Sequence, residues 1–248
     1  MKEQGKGDLG WMRIGVASVW IATGVLVVHP YYREVGAAFL AVLGLPHWLQ
    51  IPVCVAEVVL GIRVLTGPPT RWLTWLQVAM VMVFTCILAL LDPWLMVHPF
   101  GMLTKNIPFL GLVVALHLAS SEGWTPRAQW VLRGGIACIW ITEGLFPKVL
   151  FQQPMELAVV ANSGLVPGDP SVFLAGMGAA QVLTGIGLLT LRGTPLRWLL
   201  SATALALVVL PLLVSWQEPL LWVHPFGPMT KNIPILIGTL VAVRQCSR

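Results

Sequence analysis

Charge is scarce in this chain. Only 10% of its 248 residues are Asp, Glu, Lys or Arg, where a soluble domain carries about 25%. That scarcity excludes a solvated surface of ordinary size. Cysteine is also sparse: Cys54, Cys86, Cys138 and Cys246 form no CxxC pair and no metal-ligand spacing, so no metal site is expected. They read as small buried apolar side chains, although Cys54 and Cys86 could lie close enough on adjacent helices for a disulfide. No basic run alternates with aromatics, which argues against nucleic acid. A Rossmann fingerprint and a phosphate-binding glycine loop are both missing, as is any ligand set for haem or an iron–sulfur cluster.

Hydrophobic residues supply 57% of the chain. Apolar runs of about 17–25 residues, long enough to span lipid, recur along its length. The expectation is an all-α integral membrane protein. The first run, Ile14 to Val28, follows basic residues as a signal peptide would. No small-x-small cleavage site follows it, so it is read as a retained span.

A ten-residue signal occurs twice. Val97-His98-Pro99-Phe100-Gly101 and Thr104-Lys105-Asn106-Ile107-Pro108 return as Val223-His224-Pro225-Phe226-Gly227 and Thr230-Lys231-Asn232-Ile233-Pro234. Each copy follows an acid–proline pair, Asp92-Pro93 or Glu218-Pro219. Gly67, Pro69, Arg71 and Trp72 match Gly193, Pro195, Arg197 and Trp198; Trp20 and Gly24 match Trp140 and Gly144; Glu57 matches Gln181. A spacing kept across such lengths means that the whole unit is duplicated. The reading is a tail at 1–12, a first four-helix unit at 13–120, a linker at 121–132 and a second four-helix unit at 133–248. Eight transmembrane helices would form two tandem four-helix bundles, related by a pseudo-twofold axis along the membrane normal.

Basic residues concentrate on the side that holds both termini, Lys2, Lys6, Arg13 and Arg248 among them, with only Arg33, Lys105, Lys148 and Lys231 opposite. The positive-inside rule then places both termini in the cytoplasm and both repeated motifs outside.

His-Pro-Phe-Gly reads as a turn, and Asn106 and Asn232 read as helix N-caps with proline in the first helical turn. Each motif would aim a helix N-terminus and a lysine at the outer interface, a site for an anion or a polarised carbonyl oxygen. His98 and His224 could exchange protons there, with Asp92 and Glu218 as their partners. The competing reading is structural, with snorkelling lysines and capping asparagines. Glu143-Gly144-Leu145-Phe146-Pro147-Lys148 adds an acid and a lysine to the second unit alone; the first unit has Thr23 and Val28 there. An intramembrane carboxylate needs a partner or a proton. Glu57 is a second such acid, and Glu156 reads as a solvated one.

Trp140-Ile141-Thr142-Glu143-Gly144-Leu145-Phe146-Pro147-Lys148, Glu156-Leu157 and the His224–Pro234 motif together resemble the DoxX-like family of bacterial four-helix membrane proteins. The resemblance covers the second unit nearly end to end, and in the first unit only the late motif and general layout. It implies a link to membrane redox chemistry, with a location in the bacterial inner membrane. The leading expectation is a redox-associated subunit binding a quinone-like or anionic head group through Glu143, Lys148, Glu218, His224, Lys231 and Asn232. Glu57, Asp92, His98, Lys105 and Asn106 are secondary candidates. No cofactor would be held by the chain itself apart from a quinone; its partners would be the bilayer, a redox subunit and a second copy of the chain. A transporter or lipid-binding protein, and a non-catalytic assembly subunit, stay open as alternatives, and so does the question of whether it is an enzyme.

Overall fold

The computed structural model describes residues 2–164, 166 and 168–246. Met1 and Arg248 lie outside the described residues, as do the side chains of Lys2 and Lys6. The described chain is all helical. Its first half contains α1 (Lys2–Val25), α2 (Pro30–Val42), α3 (Gln50–Thr66), α4 (Arg71–Leu91) and α5 (Asn106–Glu122). The second contains α6 (Pro126–Gly144), a π-helical segment (Leu145–Leu150), α7 (Pro154–Asn162), α8 (Pro170–Thr190), α9 (Gly193–Gln217) and α10 (Asn232–Cys246). All four cysteines are free thiols.

The expectation of eight membrane spans is not met. Among the described residues five helices are long and apolar enough to cross a bilayer: Gly7–Val28, His47–Thr66, Arg71–Leu91, Pro170–Thr190 and Gly193–Gln217. A sixth counts only if Pro126–Leu150 and Pro154–Asn162, bent by 89°, are taken as one span. The two helices that follow the repeated motifs, α5 and α10, have 17 and 15 residues. At about 1.5 Å per residue both fall short of a hydrocarbon core about 30 Å thick. They are short because each begins inside the protein, after a motif segment that is itself folded into the interior.

Nor do the halves form separate bundles. α5 packs most closely on α6 and α10 packs on α1, so these four helices, drawn from both halves, make the centre. Trp20, Phe109, Leu112, Ile136 and Val241 are buried together there. α3 lies on α1, α8 on α6, α4 on α5 and α9 on α10. Large apolar side chains on these flanking helices, such as Val59, Trp72, Leu183 and Leu205, are exposed, as a face turned to lipid requires.

The duplication is visible in atomic register. A Cβ on Gly61 would meet Ala17 O and Ile21 N, and one on Gly185 would meet Ala137 O and Ile141 N. Gly24 likewise abuts Cys54 O and Val58 N, while Gly144 abuts Gly178 O and Val182 N. The α1–α3 and α6–α8 crossings therefore use equivalent residues, and glycine at these places lets the backbones touch.

At the end bearing the termini, Gln245 donates to Asp8 Oδ2 at 2.7 Å and Arg244 pairs with Asp8 Oδ1 at 3.3 Å. This ties α10 to α1, and it makes part of the expected 1–12 tail a packed helix.

Candidate functional site

Each motif turn is built by its own histidine. Phe100 N donates to His98 Nδ1 at 3.3 Å and Phe226 N donates to His224 Nδ1 at 3.2 Å. A ring whose Nδ1 accepts carries its proton on Nε2, so the turn holds the neutral tautomer. Burial lowers both histidines to about 4, the neighbouring Lys105 adding to the effect at His98, and His98 and Lys231 adding to it at His224. Gly101 and Gly227 then take φ values of 67° and 60°, which glycine adopts without strain.

The two motifs meet. Lys105 Nζ donates to Pro228 O at 2.7 Å, and Lys231 Nζ donates to Met102 O at 2.9 Å. Lys105 and Lys231 are equivalent positions, and so are Met102 and Pro228, so the exchange is reciprocal. Both lysines are buried. Lys231 is pulled down to about 7 by burial first and by the charge of Lys105 second, against the opposing pull of Glu57. The expected outer-interface site is thus an interior one. The asparagines do not cap either: α5 begins at Asn106 itself, and the Asn106 amide donates to Thr85 Oγ1 at 2.7 Å.

Glu143 is bonded to the first motif. Thr104 donates to Glu143 Oε1 at 2.9 Å, and a side chain at Gly101 would collide with that carboxylate. Just beyond it, Pro147 has no N–H to give the Glu143 carbonyl, four residues back. Lys148 Nζ reaches that carbonyl at 3.3 Å, and the helix relaxes into the π-helical segment. Lys148 also pairs with Glu156 at 2.8 Å, with both side chains buried. Glu156, expected to be solvated, is therefore an interior acid; its sequence signal was the Glu156-Leu157 pair that helps to carry the family resemblance.

Next to these groups lies a cavity of about 570 Å³, walled by α6, α7, α8, α9 and α10. Lys105, Glu143, Lys148, Glu156, Gln181 and Asn232 are its principal polar residues, and Pro99 and Phe100 close it from the first half. Its remaining wall is apolar, with Phe173, Met177, Leu210 and Val214 among the lining residues. Trp140 Nε1, Gln181 Oε1 and Glu156 Oε2 are buried without a hydrogen-bond partner. Of the expected residues, Glu143, Lys148, Asn232 and Lys105 line the cavity, while His224, Lys231 and Glu218 do not. Asp92 caps the turn at Pro93–Val97 by accepting from Trp94 N at 3.1 Å. Glu57 lies in the first half.

Two exchanges between the halves leave polar groups beside the cavity without the partners that their first-half equivalents have. In the first half Trp20 Nε1 donates to Gln77 at 2.9 Å; the equivalent of Gln77 is Thr203, whose hydroxyl turns back to Leu200 O, leaving the Trp140 indole unpaired. Thr85, the partner of Asn106, is replaced by Pro211, which lines the cavity together with Asn232. The Asn232 amide then finds only Met229 Sδ, at 3.8 Å. Sequence reasoning did not single out Gln77 or Thr203; only alignment of the halves exposes them. Among the described residues no group of three or more His, Cys, Asp or Glu is arranged to hold a metal.

These features define an all-α, multi-pass membrane protein with an internally duplicated chain and a buried polar centre beside an apolar cavity. The sequence pattern of the DoxX-like family matches residues 17–114 and again residues 137–240, so the chain belongs to the DoxX-like family. No curated protein and no solved structure shows detectable similarity to it.

Proposed function

We propose that the second half binds a quinone-like molecule, as the membrane subunit of a redox assembly. The supporting observation is the cavity itself: an apolar chamber ending in polar groups, three of whose buried polar atoms lack partners. Such a chamber suits an amphiphile with a flat polar head.

Charge bookkeeping favours a neutral head over an anionic one. Lys148 is balanced by Glu156, and Lys105 faces Glu143. An anion would add an unbalanced charge to a buried site, whereas ring carbonyls could accept from the remaining N–H groups of Lys105, Lys148, Trp140 and Asn232. Two electrons from a partner subunit and two protons would convert the quinone to the quinol, with Glu143 and Glu156 the nearest carboxyls to relay protons.

A transporter built from parallel repeats would place its site between the repeats; this cavity is formed mainly within one of them. We read the chain as two units, 13–120 and 133–248, in a bacterial inner membrane with both termini cytoplasmic. The polar end of the cavity is then toward the outer side. Homo-oligomerisation stays compatible with this reading.

Trp140 and Trp216 line the cavity, so quinone binding can be followed by their fluorescence. A short-chain ubiquinone or menaquinone titrated into the purified chain in lipid nanodiscs is expected to quench it saturably. Quenching that never saturates, or that persists unchanged in Lys148→Met and Glu143→Gln, would sink the reading.

A further inference from the structure

The first half carries an acid of its own in an equivalent setting. The α1–α3 and α6–α8 crossings are in the same register, fixed by Gly24 and Gly61 in one half and by Gly144 and Gly185 in the other. At that crossing the first half has Thr23 on α1 and Glu57 on α3; the second has Glu143 on α6 and Gln181 on α8. Each half therefore keeps one carboxylate and one neutral polar residue, on opposite helices. In each half, too, the carboxylate is within electrostatic reach of the lysine from the other half's motif: Glu143 with Lys105, and Glu57 with Lys231.

Two buried atoms, one on α3 of the first half and one in the second half's motif, are unsatisfied. Glu57 Oε2 and Thr230 Oγ1 have no hydrogen-bond partner, although Glu57 is 8% exposed and Thr230 6%. Thr104, the equivalent of Thr230, is the residue that donates to Glu143. Buried polar atoms of this kind are ordinarily satisfied by a guest, most simply a water.

We propose that Glu57 and Lys231 form a second acid–lysine site, the counterpart of Glu143 and Lys105, which holds an exchangeable proton through a water bound between Glu57 Oε2 and Thr230 Oγ1. Besides Lys231, the groups facing Glu57 are Thr23 on α1, Tyr32 on α2 and Cys54 on α3, the last two themselves joined at 3.6 Å. None of the three supplies a cation, so Lys231 is the positive charge that the ionised carboxylate meets. The site stands whatever occupies the cavity of the second half.

The second half shows which substitutions the crossing tolerates. Glu57→Gln installs the residue found at its equivalent, Gln181, and Thr23→Glu installs the residue found at Glu143. With the full chain in lipid nanodiscs, E57Q is expected to lower the thermal midpoint by about 6–12 °C and to remove one pH-dependent carboxyl band from the infrared spectrum. The double variant T23E/E57Q is expected to recover at least half of that midpoint loss and to restore a titrating band. Should E57Q fail to fold, recovery of folded protein in T23E/E57Q supports the site equally. The proposal is overturned if E57Q matches the wild type in both readouts, or if T23E/E57Q is no better than E57Q. Loss of quinone quenching with the rescue intact would overturn only the reading of the second half.

Discussion

Thr104 donates its hydroxyl to Glu143 over 2.9 Å, joining the first copy of the motif to the first helix of the second half. The cavity's leading acid is thus held by a residue from the half that does not contain the cavity. Truncating Thr104 leaves Glu143 short of a donor at a partly buried position. Thr104→Val is expected to cost about 1–3 kcal/mol of stability and to weaken quinone binding, although Thr104 is not a lining residue. Paired thermal unfolding and quenching titrations check both.

The cavity should be removable by restoring what the first half has. Thr203→Gln gives Trp140 the amide acceptor that Gln77 gives Trp20, and Pro211→Thr gives Asn232 the hydroxyl that Thr85 gives Asn106. Combining the two is expected to abolish saturable quenching, at least tenfold or about 1.4 kcal/mol, while leaving the thermal midpoint equal to or above that of the wild type. A folded double variant that binds as before would show that this space is not the binding site.

The Lys148–Glu156 pair is buried, so breaking it should hurt more than removing it. Either Lys148→Met or Glu156→Gln alone is expected to cost about 3–5 kcal/mol, and Lys148→Met with Glu156→Leu less than either single change. A double-mutant cycle measured by chemical unfolding in detergent reads the coupling directly.

Acid should unfold the motifs through their histidines. His98 and His224 fall to about 4 in the folded protein from an ordinary 6.5, so protonation favours the unfolded chain. Their contribution is complete above about 6.5 and is lost as pH drops toward 4. The double variant His98→Asn/His224→Asn keeps an acceptor for the turn without a titrating ring. Its thermal midpoint is expected to vary less over that window than the wild type's.

Much of this was legible in the sequence, and the limits were physical. The duplicated motif, the apolar runs and the Glu143–Lys148 segment were plain because a repeat and an intramembrane charge stand out against an apolar background. Helix ends were harder. The sequence suggests that α5 and α10 span, since the segments 104–119 and 230–244 are predominantly apolar; only tertiary structure shows that they start inside. The bond between Glu143 and the first motif was hidden for a related reason. Sequence proximity groups residues by half, whereas packing exchanges α5 and α10 between the halves. The cavity was invisible because it depends on how α6, α7, α8, α9 and α10 come together, and a linear sequence carries no signal of the space that packed helices leave between them.

The crossed bonds of Lys105 and Lys231 bear on what one half could be by itself. Cut from the other, either half would present a lysine whose acceptor is gone and a carbonyl whose donor is gone, and would be complete again only beside a second copy. Covalent linkage makes that companion permanent and always at hand. Each half is then free to keep its end of the clasp and alter everything behind it, which is how one interior could fill with paired amides while the other became a chamber.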